Sequence, residues 1–185
     1  NSPLAAPYTY SVLTHEFQHM IHWNQDKNES AWMNEGFSEV SVLLNGYNPG
    51  GFDYDYIRSP DYQLNDWPND SDTSTSYGSS FLFLTYFLDR TGEEITKQLI
   101  SNQENGLKSI DTVLAENNVP NSKTDQLLTA DDLVLDWAIT NYINDEDVED
   151  GNYYYHIYSD AITASPTDTI GNCDLSSNRM TVHQY

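Results

Sequence analysis

The chain reads as mainly α, with little strand and long loops. Three observations predict this. Thr14 to Trp23 carries His, Glu and apolar residues at helical spacing; a second helical pattern follows one short polar loop later; and the run from Phe81 to Leu88 is apolar and bounded by helix signals rather than by turns.

The first helix candidate covers residues 10–24. Leu13, Phe17 and Met20 follow the i, i+4, i+7 pattern of a core face, and His15, His19 and His22 repeat it on another face. Three of the five His thus fall within eight residues, as a stripe. His15-Glu16-Phe17-Gln18-His19 is a His-Glu-x-x-His motif, which sets two imidazoles one turn apart on one face, able to share a metal. Glu16 sits about a quarter-turn round, within reach of a water at an open metal position. Zinc suits this best, because imidazole binds it well and a catalytic zinc keeps three protein ligands and a water. His22 lies one turn past His19 and is read as a partly exposed packing residue.

A polar loop from Asn24 to Glu29 leads to the second helix candidate, residues 31–44, with Ser30 as N-cap and Asn45-Gly46 as stop. The short loop makes the two helices antiparallel neighbours. Glu35 and His19 then lie level, each about 7.5 Å from the turn, and so do Glu39 and His15. Geometry alone leaves open which carboxylate takes the metal. Asn34 is read as a polar residue of the helix's first turn.

Residues 46–76 form a long loop rich in Gly, Pro, Asp, Asn and Tyr, of the kind that walls a cleft. Further helix candidates cover 77–90, 92–101, 107–117 and 130–144, the last opened by a capping box from Thr129 to Asp132. Residues 145–185 look irregular, with short strands around 153–158 and 178–185. Domain organisation is read as one unit over 1–185: a metal-binding helix pair at 10–45, a helical bundle at 77–145 and an irregular segment at 146–185.

The chain holds 29 Asp plus Glu against 7 Lys plus Arg, a formal charge of −22. That argues against nucleic acid or an anionic membrane surface as partner, since both need basic patches. No apolar run is long enough to insert in a membrane. The composition fits a secreted or extracellular protein. Cys173 is a lone thiol, so no internal disulfide framework exists. Asp145 to Asn152 invites a calcium reading but places Gly one position late for an EF-hand loop, so an exposed acidic turn is preferred there, as for Asp53 with Asp55. Calcium is carried only as a second candidate cofactor beside zinc.

The pattern His-Glu-Phe-Gln-His-Met-Ile, followed by Asn34-Glu35 on the next helix, resembles the gluzincin zinc metallopeptidases, the clan of thermolysin and the zinc aminopeptidases, and is most similar to the hyicolysin-like branch. The resemblance covers residues 10–45 strongly and 77–92 loosely. It implies a helical, zinc-bearing catalytic subdomain that hydrolyses peptide bonds in protein or peptide substrates, most simply as an endopeptidase. It makes Glu35 the third zinc ligand beside His15 and His19, Glu39 the residue that supports the first His, and Glu16 the group that polarises the zinc-bound water. It points to Tyr77, ahead of an apolar helix and beside Gly78, as the oxyanion donor. The chain departs from thermolysin in a shorter gap from His19 to Glu35, with Glu39 where a simple count would put the ligand. A metzincin pattern fails, because Gln25 stands where its third His would be and His22 where its Gly would be. Because gluzincins place a β-sheet before this helix, the chain is expected to be part of a larger secreted protein. The rival reading is a non-catalytic extracellular surface or adhesion module with a structural zinc, which would have no use for Glu16.

Overall fold

The structure, a computed structural model, describes residues 6–68 and 72–166. Among these, six helices carry the fold: α1 (Pro7–Gln25), α2 (Ala31–Leu44), α3 (Phe52–Arg58), α4 (Ser74–Ile100), α5 (Leu107–Glu116) and α6 (Ala130–Ile143). The mainly α expectation holds. The C-terminal region from 178 and Cys173 lie outside the described residues.

Helix α4 is the centre. Every side chain from Phe81 to Leu88 is buried, a run hydrophobic all round, and α2, α3, α5 and α6 cover it from different sides. Backbone at Gly92 (φ 79°, ψ 172°) interrupts the helical dihedrals, which divides α4 near the expected boundary between 77–90 and 92–101. Trp137 of α6 joins the layers, stacked on Tyr56 of α3 (5.4 Å, 11°) and edge-on to Phe83 of α4 (5.4 Å).

Two close approaches require glycine. A Cβ on Gly36 of α2 would meet Leu84 and Ser80 of α4 at 2.8 and 2.9 Å, and one on Gly78 of α4 would stand 2.1 Å from the Phe52 carbonyl oxygen of α3. Those glycines let α2 and α3 seat on α4. Helix α2 stops at Asn45 and Gly46, whose φ of 77° allows the Schellman pair Tyr47 N–H to Val42 O (3.1 Å) and Gly46 N–H to Leu43 O (2.9 Å). The expected capping box opens α6, with Thr129 and Asp132 exchanging side-chain-to-backbone hydrogen bonds.

Four expectations are corrected. The core face assigned to α1 is its outer face: Leu13, Phe17 and Met20 are 57, 60 and 66% exposed, while Gln18 and His22 are the buried residues of that helix. A periodic apolar stripe marks a face that packing would favour, and among the described residues nothing covers it. The 46–76 loop contains α3, whose start follows a left-handed Gly51 and whose Tyr56 and Ile57 are buried. Residues 153–158 form turns and bends rather than a strand, and Tyr155 is buried with its hydroxyl on Asn141 Oδ1 (2.6 Å). His22, read as partly exposed, is 1% exposed.

The segment after α6 is tied back to α4 by Asp89, whose carboxylate accepts from the backbone N–H groups of His156 (3.0 Å) and Ile157 (3.1 Å). Burial pushes this carboxyl up to about 6, against those hydrogen bonds and the nearby His156 and Arg90 charges, which favour the anion. The native state therefore holds this proton more tightly than the unfolded chain. Its stabilising contribution is full below the ordinary carboxylate value and is lost as pH rises to about 6. In urea unfolding, the stability of wild type minus that of Asp89→Asn should fall between pH 4 and 6 and stay level above 7. Gly78→Ala should cost about 1–3 kcal/mol in the same measurement, because α3 must move off α4.

Candidate metal centre

Helix α1 begins with Pro7 at its first turn, where a missing N–H costs nothing, and runs antiparallel to α2 across a five-residue turn. The contact between them is polar. It places Glu35 level with His19 and Glu39 level with His15, and it brings three side chains to one point.

His15 Nε2 and His19 Nε2 stand 3.0 Å apart, and Glu35 Oε2 is 3.3 Å from each. Together they are the one cluster of His, Cys, Asp or Glu among the described residues whose ligand atoms lie close enough to share a metal. The opposite ring nitrogens are held by acceptors. His15 Nδ1 donates to Glu39 Oε1 (2.9 Å), and His19 Nδ1 donates to Asn34 Oδ1 (2.9 Å) and Ser38 Oγ (3.0 Å). With an acceptor beside each Nδ1, both Nε2 atoms are left facing each other and the Glu35 carboxylate, where a shared proton or a metal ion can sit. Three electron-rich atoms within 3.3 Å ask for a cation between them. Zinc fits: at Zn–N and Zn–O distances near 2.0 Å, the edges of a tetrahedron are about 3.3 Å.

The pKa shifts express the same demand. Burial works against charge on His15, but hydrogen bonds to Glu35 and Glu39 overcome it and raise the ring to about 9. Hydrogen bonding to Glu35 is the main cause that raises His19. Burial would raise Glu35, yet the two imidazoles hold its carboxyl down at about 2. His22, by contrast, is lowered to about 4 by burial and takes no part in the cluster.

The cluster is reachable from one side, since the side chains of His15, His19 and Glu35 are 15, 24 and 24% exposed. A cavity of about 400 Å³ opens beside it, lined by His15, Glu16, Glu39 and Tyr77 together with apolar Val12, Val42 and Phe52. Glu16 is exposed at its edge. The Tyr77 ring lies 6.2 Å from His15, stacked on Phe52 (5.1 Å) and met edge-on by Trp67 (5.0 Å). Burial first, then the adjacent Glu35 carboxylate, push its phenol well above the ordinary value, so it stays a proton donor at neutral pH. The loop segment expected to wall a cleft supplies Asn48, Pro49, Gly50 and Phe52 to this cavity.

Asn34 was read as an ordinary first-turn residue; instead it holds the second imidazole. Its position on the α2 face shared by Ser38 and, one residue round, Glu35 carries that signal in the sequence. Ser38 was missed outright, though its i+4 spacing from Asn34 places both on one stripe.

No family model matches the chain. It is 22% identical over 134 residues to the neutral metalloprotease ShpI of Staphylococcus hyicus, an alignment that takes in 65% of this chain and 31% of that protein. The chain thus spans less than a third of that protein's length. A metalloprotease is a distant relative of this chain, and a His-His-Glu cluster suited to a metal ion stands in its structure.

The hydrogen bonds to Nδ1 generate a prediction. Glu39→Ala and Asn34→Ala should each weaken zinc affinity by about 10–100-fold, read by competition with a chromophoric chelator, without unfolding the chain.

Proposed function

We propose that this chain is the helical catalytic subdomain of a secreted zinc metallopeptidase of the gluzincin type, acting as an endopeptidase on protein or peptide substrates. The observation that carries the reading is the open His15, His19, Glu35 cluster with a carboxylate, Glu16, at its mouth. A structural zinc would close its fourth position with a protein ligand, so the accessible side of the cluster weighs against a purely structural site. Distant similarity to a metalloprotease supports the same class. The acidic composition, and the finding that no helix among the described residues is long and apolar enough to cross a membrane, are compatible with secretion.

In this reading His15, His19 and Glu35 hold the zinc, with Glu39 and Asn34 fixing the two rings. The metal supplies Lewis acidity, which polarises a scissile carbonyl and makes water acidic enough to attack near neutral pH. Glu16 accepts the proton of the attacking water and passes it to the leaving amine. Tyr77, held by Phe52 and Trp67 with its hydroxyl still protonated, donates a hydrogen bond to the developing oxyanion. The cavity beside His15 gives an apolar substrate side chain a place to sit.

With zinc-loaded protein and an internally quenched peptide, Glu16→Gln should abolish hydrolysis while zinc content stays at one per chain, and His19→Ala should lose both. Tyr77→Phe should lower kcat by about 10²-fold with little change in KM. Near-native turnover by Glu16→Gln would overturn the mechanism.

A further inference from the structure

Tyr77 stands in the first turn of α4, three residues after Ser74 opens the helix. A helix start is held by few of its own hydrogen bonds, because its first N–H groups have no carbonyl one turn behind them. Thr73, the N-cap, makes no side-chain capping bond; the Asp72 carboxylate accepts from the Ser74 N–H (3.0 Å), and the Tyr77 N–H bonds back to the Thr73 carbonyl (2.9 Å). Those backbone bonds leave the direction of the Tyr77 ring open, since its χ1 still has staggered alternatives. Packing has to choose among them.

Two aromatic rings supply that packing, and they come from different segments. Phe52, in the first turn of α3, stacks on the Tyr77 ring (5.1 Å, 29°), and Gly78 lets α3 come that close. Trp67 meets the same ring edge-on (5.0 Å, 77°). It belongs to the stretch that leads from α3 toward α4, whose residues 60–67 contain neither helix nor strand. That stretch is nevertheless tied down at two points. Leu64 is buried in the core, and the Tyr62 hydroxyl shares a 2.6 Å hydrogen bond with the Ser76 hydroxyl, one residue before Tyr77. The Trp67 ring itself packs against the core. An irregular segment is thus anchored to the same helical turn whose side chain it touches.

We propose that Trp67 is a positioning residue for Tyr77: residues 60–67 form a brace, and the Trp67 ring near its end keeps the phenol turned toward the metal cluster. This rests on the reading above, in which Tyr77 is the oxyanion donor. Edge-to-face aromatic pairs are directional, so the contact selects one ring orientation rather than only filling space. Phe52 has a second role, because it lines the cavity beside His15 where a substrate side chain would lie; Trp67 is outside that lining. Its influence on the reaction therefore passes through Tyr77. A catalytic group misplaced by about 1 Å can cost about 10²-fold in rate, so a brace without contact to substrate governs turnover.

The test uses zinc-loaded protein and an internally quenched peptide. Trp67→Ala should lower kcat about 10-fold with KM within about twofold of wild type, and Trp67→Phe, which keeps an aromatic ring, should recover most of the loss. In a Tyr77→Phe background the same Trp67→Ala change should have no further effect on kcat, because the donor it places is gone. The place of the ring is read separately by NMR. The NOE between the ring protons of Tyr77 and His15, whose ring centroids lie 6.2 Å apart, should weaken in Trp67→Ala and return in Trp67→Phe. A kcat loss from Trp67→Ala that is undiminished in the Tyr77→Phe background, or an NOE that the substitution leaves unchanged, overturns the proposal. If Tyr77→Phe keeps the turnover of wild type, the donor assignment is wrong and the proposal falls with it. If the wild-type protein cleaves no peptide, the peptidase reading fails and the NOE alone decides whether Trp67 places the ring. Should Trp67→Ala not fold, Tyr62→Phe takes its place: it removes only the hydroxyl that ties the brace to Ser76, it should weaken the same NOE, and an unchanged NOE overturns the proposal.

Discussion

The register of α1 against α2 is the constraint on which the rest depends. Helix α2 is fixed first, by Met33, Phe37 and Val40 buried in the core and by the close approach of Gly36 to α4. Helix α1 has no comparable anchor, since the residues it buries are Gln18 and His22. Polar contacts determine where it lies: His15 on Glu39, His19 on Asn34 and Ser38, and the Ser41 hydroxyl on the Thr14 carbonyl (3.3 Å). A slip of one turn, about 5.4 Å, would set His19 against Glu39 and leave Glu35 without an imidazole. Direction-dependent hydrogen bonds resist such a slip in a way that an oily seam would not.

A metal ion held at the same seam would couple its binding to the fold. Two imidazole nitrogens and the Glu35 carboxylate crowd within 3.3 Å, and the raised His15 together with the lowered Glu35 expresses how strongly that space favours positive charge. A divalent ion would satisfy all three groups at once and lock the helix pair. Binding energy at such a place is also docking energy for α1.

Much of this was legible in the residues. His-Glu-x-x-His dictates two imidazoles on one face, a short loop dictates an antiparallel partner, and level counting places Glu35 and Glu39 opposite them. The Thr129–Asp132 box and the Asn45-Gly46 stop are local chemistry, so they were readable at their own positions. What was not legible depends on partners. Periodicity shows that α1 has an apolar stripe and a histidine stripe, but not which one α2 covers; the structure turns the histidine stripe toward α2 and buries His22 with the neighbouring Gln18. Helix α3 hid in a segment whose Gly, Asp and Tyr content reads as loop, because its stability comes from Tyr56 and Ile57 packing on α4 rather than from propensity. Tyr153 to Tyr158 carries strand-forming residues, yet no neighbouring strand is there among the described residues, and Asn144 and Asp89 take its backbone N–H groups instead.

The hardest distinction in the sequence was between Glu35 and Glu39, since both face histidines. In the proposed reading it is an imidazole's two nitrogens that separate them. A ring can present only one nitrogen to a metal, and a carboxylate on the other nitrogen is held on the far side of the ring. Glu39 lies 2.9 Å from His15 Nδ1, while Glu35 lies 3.3 Å from the Nε2 atoms of both rings. Their environments diverge accordingly: Glu39 is buried beneath one ring, Glu35 is shared between two imidazoles that keep it ionised, and Glu16, outside both arrangements, is exposed to solvent. Three carboxylates on two facing helices thus differ in their surroundings through geometry alone, and the polar contacts that set α1 against α2 keep them distinct.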